Sequence, residues 1–463
     1  MGEVLHLAEI EQVSEAHRKG AVRKRARRTA TSAVLSLLVL AFSSCGSSYR
    51  PVLATVGIVG PAGQPQKFAI AVSSASPTSN GLLTIVDFSG DTVLINAKLG
   101  MNPYYLTLNT SGTTGYTLNS DKTVTSFDIS TSLLSSDILE STLPAGTNPV
   151  GLFSAGYGTY VSDQGVNTID QMTGAPPALK QQLPISSGYK PIYVVGTGGS
   201  SRIYALAQSA TGGAGEAIAV ETGSNAISAI VPVGRTPVYG VMTLDSKRAF
   251  VLNQGDGTVT VINTQTNALD TPVNTISVGV NPVWADFAPP LNELVVANQG
   301  NGVTTGSLSI ISIPLCSPST LPVNPNCNAS NPIDAVGFGQ VVATVPVGVN
   351  SFMVTVLADG SRAYVANAGD PTLPCSSTGV SVAGVSTACT VSVVNLTTNT
   401  VTATIPINGH PAWIASTNAT PTGKVYVVCH DSQVMTVIET DTDKVDTTIP
   451  LQGYGISVRT SDP

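Results

Sequence analysis

The chain is 463 residues long, 42% hydrophobic and only 11% charged, with 44 Gly and 30 Pro. That much apolar material fills a large core, and so many turn residues point to numerous short strands and away from long helices. The formal charge of −7 hides an asymmetry: residues 1–44 hold seven Lys/Arg and four Asp/Glu, which leaves 14 basic and 24 acidic side chains, a charge of −10, on the rest. A surface of that sign repels phosphate backbones and argues against nucleic acid as a partner.

Residues 23–28 read Arg-Lys-Arg-Ala-Arg-Arg, and an apolar run from Ala33 to Phe42 leads into Ser43-Ser44-Cys45-Gly46. The run is too short to span a bilayer as a stable helix and fits a secretory signal. Its ending in small residues before a cysteine resembles the lipobox of bacterial lipoproteins, with Phe42 standing where that signal usually has Leu. The resemblance implies that Cys45 is diacylated and becomes the new N-terminus. Residues 1–44 are therefore expected to be a leader, and residues 45–66, rich in Ser, Pro and Gly, a lipidated tether into the first strand. The expected address is extracytoplasmic, a monomer held to the cell envelope through its lipid anchor alone.

From Lys67 the sequence repeats. The fullest unit runs Asp359-Gly-Ser-Arg-Ala-Tyr-Val-Ala-Asn367, then a Cys-bounded insertion, then Thr390–Asn395 and Thr400–Pro406, and closes with Gly409-His-Pro411. β-Branched runs separated by Asp-Gly and Thr-Asn signals predict strands joined by tight turns. Eight second runs can be read: Lys67–Val72, Gly115–Leu118, Gly158–Val161, Arg202–Ala205, Arg248–Val251, Glu293–Val296, Arg362–Val365 and Lys424–Val427. Hinges at Pro103, Pro149, Pro191, Pro237, Pro282, Ser351 and Pro411 lie 46, 42, 46, 45, 69 and 60 residues apart. A period in the low forties with four strands per unit predicts an all-β propeller of antiparallel blades over residues 67–460. Eight cassettes favour eight blades, with seven the alternative. The closing strand pattern Gly455–Val458 predicts that the C-terminus completes blade 1 and latches the ring, since an open ring would expose two sheet edges.

Tyr364-Val-Ala-Asn367, the Asn399–Val401 turn and Ala343-Thr-Val-Pro-Val-Gly348 resemble the YVTN-repeat β-propellers, strongly over residues 236–451 and more weakly over 67–235. The resemblance implies an extracytoplasmic ring of usually seven blades with no invariant catalytic residue.

With Cys45 lipidated, five cysteines remain. Pairing Cys316 with Cys327 and Cys375 with Cys389 would close the two insertions that stretch the repeat, each worth about 3 kcal/mol by loop entropy, in an oxidising compartment. The first insertion follows a third strand and the second follows a second strand, so the two loops are expected on opposite faces of the ring. Cys429 lies in a strand and reads as a buried small hydrophobe. No metal site is expected, because only His410 and His430 remain after the leader and no Cys-x-x-Cys occurs. Amide and acidic residues after the second strands, as in Asn253-Gln-Gly-Asp256, could ligate calcium but are also what turns demand.

No catalytic elbow, phosphate loop or dinucleotide fingerprint is present, and no cofactor is expected. Two residues past each hinge stand Tyr105, Gly151, Tyr193, Tyr239, Trp284, Met353 and Trp413; five of the seven are aromatic, and they include both tryptophans of the chain. Such rings either wedge between blades or border the channel mouth. On the second reading Tyr105, Tyr239, Trp284 and Trp413 form a binding rim for a glycan or a protein, with Asn102, Asn148, Asn281 and Asn350 donating beside them. The expected function is non-catalytic binding or scaffolding for a protein, glycan or envelope component. The alternative is a lactonase-like hydrolase or quinoprotein-like oxidoreductase acting at the channel mouth, marked by clustered, perturbed ionisable groups.

Overall fold

The computed structural model describes residues 67–129, 138–302, 305–316, 334–370, 375, 381–382, 385–386, 389–418 and 423–461. Cys45, the leader and the tether lie outside them, as does Cys327. Thirty-five strands account for nearly all the regular structure, and the only helical element among the described residues is a 3-10 turn at Pro289–Leu291.

The strands form eight antiparallel blades. Their inner strands, taken round the ring, are Tyr454–Thr460, Pro103–Leu108, Pro149–Ala155, Tyr189–Val195, Pro237–Met242, Pro282–Ala288, Ser351–Val356 and Pro411–Ser416. Each inner strand neighbours the next, and the eighth neighbours the first. Blades 2 and 3, whose repeats are the faintest in sequence, are complete four-stranded sheets. In blade 2 the repeat is disguised because Gly115 stands where a Cβ would come within 2.4 Å of the Phe127 ring on the next strand. Only blade 5 has a divided outer edge, Ala268–Leu269 and Thr275–Ser277, both paired with Thr258–Asn263.

Burial explains the apolar runs. Ala363, Tyr364, Val365 and Ala366 of blade 7 are all 0% exposed, because both faces of a second strand pack on neighbouring blades. Eight hydrophobic clusters occur, one for each interface between adjacent blades. Outer strands such as Thr400–Pro406 alternate toward solvent.

The ring closes as the C-terminal pattern suggests. Tyr454–Thr460 pairs antiparallel with Phe68–Ser74, with Val458 opposite Ala71. The backbone N–H of Ser461 donates to Phe68 O at 2.9 Å, and the N–H of Phe68 donates back to Ser461 Oγ at 2.8 Å.

A second device clasps blades together at the end of the ring where third and fourth strands turn. Tyrosines of second strands donate to a left-handed residue in the next blade's turn: Tyr160 to Asn225 at 2.6 Å, Tyr204 to Asn267 at 3.0 Å, Tyr426 to Asp91 at 3.4 Å, and Tyr364 to Asp443. All four acceptors have φ between 51° and 57°, a conformation that Asn and Asp tolerate best among residues with a side chain. Cations beside these tyrosines join in: Lys424 pairs with Asp91 and Arg362 with Asp443, both at 2.6 Å. Blade 5 carries Phe250 instead, and its clasp is Arg248, 1% exposed, between Asp270 at 2.8 Å and Asp334 at 3.0 Å. Asp334 belongs to the blade 6 insertion, so this buried triad fastens that insertion to blade 5.

The opposite end carries the hinges and the turns between second and third strands. Asn119, Asn253, Asn298 and Asn367, all at most 1% exposed, end their second strands here. Each donates its amide to Ser or Thr hydroxyls of the third strand, as Asn253 does to Thr260 at 2.8 Å and Asn367 to Ser392 at 3.0 Å. Their amides serve the blades. The Cys375–Cys389 disulfide, with Cα atoms 5.3 Å apart, closes a loop between second and third strands. Cys316 is also disulfide-bonded, in the loop between the third and fourth strands of blade 6. The strand order thus puts Cys316 and the Cys375–Cys389 bond at opposite ends of their blades, as the order of the two insertions in the repeat implies. Cys429 is a free thiol, 1% exposed.

Candidate functional site

The residues two past each hinge converge on the axis. A bulge follows every hinge, so that Tyr105, Gly151, Tyr239, Trp284, Met353 and Trp413 each sit opposite the residue before the end of their second strand. The bulge turns these side chains inward and sets one residue per blade at a common level.

Their rings touch. Tyr193 and Tyr239 lie 4.8 Å apart, and Tyr239 stacks on Trp284 at 3.9 Å and 20°. Trp284 meets Trp413 edge to face at 5.2 Å and 81°. The two indoles belong to blades 6 and 8 and meet across blade 7, whose own residue at this level is the buried Met353. Tyr105 closes toward blade 3, donating its hydroxyl to Leu152 O at 3.2 Å. Gly151 breaks the aromatic series because a Cβ there would come within 3.0 Å of Ile192 O and 3.3 Å of Tyr193 Cα. The rings also pack outward: Trp284 contacts the clusters on both sides of blade 7, and Trp413 those on both sides of blade 8. They are half-buried, so wedge contacts and exposed ring surface coexist in the same side chains.

Two charged residues join the rings, and sequence reasoning passed over both. Arg459, from the closing strand, lays its guanidinium over the Trp413 ring at 4.3 Å and donates Nε–H to Leu106 O at 3.3 Å. Asp286, two residues past Trp284, accepts from Phe287 N and from Val356 N of the next blade, each at 2.8 Å. Burial pushes its carboxyl up to about 6, against those two N–H donors and the Arg459 charge, which pull it down. Burial likewise raises the phenols of Tyr105, Tyr193 and Tyr239; the first two are raised further by a neighbouring tyrosine, and the third by Asp286 against the pull of Arg459. Neutral hydroxyls, one guanidinium, one titratable carboxyl and aromatic faces are therefore concentrated on the axis.

The hinge asparagines have other work. Asn281 donates its amide to Gly300 O at 2.7 Å, and Asn350 accepts from Gln299 at 2.6 Å. With Asn102 they hold left-handed φ values of 40° to 57° that start each blade. Among the described residues the one grouping of metal-ligand type is Cys375, Cys389 and His410, of which the first two are bonded to each other.

The sequence matches no protein-family model and no curated protein. Solved structures do share the fold. Dihydro-heme d1 dehydrogenase NirN in complex with DHE matches at 12% identity and a TM-score of 0.60, over 88% of this chain and 78% of its own. Apo AztD from Citrobacter koseri matches at 11% identity and 0.53, over 85% and 97%. A Bacteroides fragilis protein provisionally assigned as a 6-phosphogluconolactonase matches at 13% identity and 0.50, over 87% and 99%. At these identities the likeness speaks for the β-propeller alone, and the roles of these proteins differ widely.

Proposed function

We propose that this chain is an extracytoplasmic, lipid-anchored propeller of the YVTN-repeat type that binds a glycan or protein of the cell envelope at its axis. The observation that carries the reading is the continuous aromatic surface from Tyr193 through Tyr239 and Trp284 to Trp413, beside Arg459 and Asp286. Flat faces stack on sugar rings or grip apolar side chains, and a few convergent polar groups orient what they hold. Calorimetric titration of the full chain with soluble envelope glycan fragments and peptides tests this. Binding should fall at least tenfold in Arg459→Met and in Trp413→Phe, and unchanged affinity in both would overturn the assignment. The anchor is tested separately: Cys45→Ala should release the protein from the membrane fraction, because one acylated terminus is its expected attachment.

Asp286 favours a second reading. A carboxyl with a pKa of about 6 is suited to general acid or base work near neutrality, and the surrounding phenols and Arg459 could steady a developing oxyanion. Binding is preferred because the aromatic faces make a stacking surface continuous over several blades, whereas the Asp286 carboxylate is already engaged by two backbone N–H donors. Turnover of a lactone or ester that Asp286→Asn abolishes while binding persists would reverse the preference.

A further inference from the structure

At the hinge between blades 7 and 8, groups distant in sequence meet in a way their spacing conceals. Cys375 and Cys389 bracket the blade 7 insertion, and His410 is the hinge residue of blade 8. Their three ligand atoms, two sulfurs and an imidazole nitrogen, all lie within 4.8 Å of one another. His410 is 7% exposed. Its Nδ1 meets Asp431 Oδ2 at 2.6 Å, and its backbone N–H donates to Asp431 Oδ1 at 2.7 Å. The His430 ring stacks on it at 5.2 Å and 14°.

Hinge geometry does not ask for histidine here. Asn102, Thr236, Asn281 and Asn350 occupy the same place in left-handed conformations, whereas in blade 8 the positive φ falls on Gly409, at 130°. What the histidine adds is an imidazole whose orientation is fixed by a carboxylate, the arrangement that commonly supports metal-bound histidine.

We propose that reduction of the Cys375–Cys389 bond opens a soft-metal site, in which two thiolates and the His410 imidazole hold one Zn2+. Crosslink and ion are then alternative occupants of one place. A dithiol reductant supplies two electrons and two protons: the S–S bond breaks, two thiols form on the protein, and the reductant closes to its own disulfide. Zn2+ displaces one proton from each thiol, and two Zn–S bonds and one Zn–N bond form. Two sulfurs and one imidazole suit a tetrahedral ion with its fourth position open. Bonds of about 2.3 Å to sulfur and 2.0 Å to nitrogen place ligand atoms about 3.5–4 Å apart, which side-chain rotation can reach from the observed separations without moving the hinge.

The test titrates Zn2+ into the full chain, as purified and after reduction by a phosphine that is then removed without air. The reduced protein should gain one site at least ~100-fold tighter than any in the oxidised protein, and Co2+ in its place should show thiolate charge-transfer absorption. Cys375→Ser should abolish that site. His410→Asn installs the residue found at four other hinges, so its melting should be retained while Zn2+ affinity falls about 10- to 100-fold. Cys45→Ala, Cys316→Ser and Cys429→Ala should leave the site intact. Equal Zn2+ affinity before and after reduction, or a reduced-state site that survives both Cys375→Ser and His410→Asn, would overturn the proposal.

Discussion

Asp286 makes the electrostatics of the axis measurable. Its carboxyl rises from an ordinary 3.8 to about 6 because burial outweighs two N–H donors and Arg459. At about 1.4 kcal/mol for each tenfold change in proton affinity, ionising it in the folded state costs about 3 kcal/mol more than in the unfolded chain. The folded pKa is the higher one, so the folded state keeps its proton longer. This group's contribution to stability is therefore full at low pH and falls as pH rises through about 4 to 6. Asp286→Asn removes the titration while retaining the shape. It also turns an amide NH2 toward one of the two backbone donors, a penalty of about 1–2 kcal/mol that is independent of pH. Urea unfolding of both proteins at intervals from about pH 4 to 8, followed by tryptophan emission, cancels the carboxylates they share. The stability of the wild type relative to the variant should drop by about 2.5 kcal/mol across that window, the rest of the effect having been lost below pH 4. A difference constant to within about 0.5 kcal/mol would refute the desolvated carboxyl at the axis.

Three further outcomes follow from the packing. Asp443→Asn keeps a left-handed residue that can accept from Tyr364, as Asn225 and Asn267 do in their blades, and should cost about 1 kcal/mol. Asp443→Ala also leaves Tyr364 and Arg362 unpaired at a positive φ and should cost about 3 kcal/mol by thermal or chemical melting; equal costs would undo the clasp. Trp284→Ala and Trp413→Ala should each destabilise by about 2–4 kcal/mol, at or below the range for a fully buried Trp because both rings are half-buried, and either should erase the near-ultraviolet dichroism of the coupled indoles. Deletion of residues 453–463 strips blade 1 of its inner strand and should yield an aggregating, protease-sensitive protein; unchanged melting would contradict the latch.

The fold was legible wherever the repeat itself encodes it. Arg362–Asn367 and its seven counterparts give the second strands, and Gly455–Val458 gives the latch, because burial on both faces leaves the same apolar run in every blade. The disulfide at Cys375 and Cys389 was legible from an insertion bounded by cysteines. The ring of aromatics was legible as a position, but whether its members reached one another was not, since that depends on where eight inner strands point. Asp286 and Arg459 were invisible for a related reason: neither is repeat-encoded, and Arg459 joins Trp413 only once the C-terminus closes the first blade. The tyrosine clasps were hidden because donor and acceptor sit 63 to 79 residues apart for most pairs and in different blades. The turn asparagines could be read as turn formers or calcium ligands, and only the third-strand hydroxyls opposite them show what their amides do.

Both tryptophans of the chain stand on the axis, so their emission reports on that place and no other. The most direct test of axial binding is to follow this emission while a ligand identified by calorimetry is titrated into the full chain. Binding at the axis predicts a saturable change in emission with the calorimetric affinity, lost in Arg459→Met. Saturation in the calorimeter with both indoles unperturbed would place the ligand elsewhere and contradict the account.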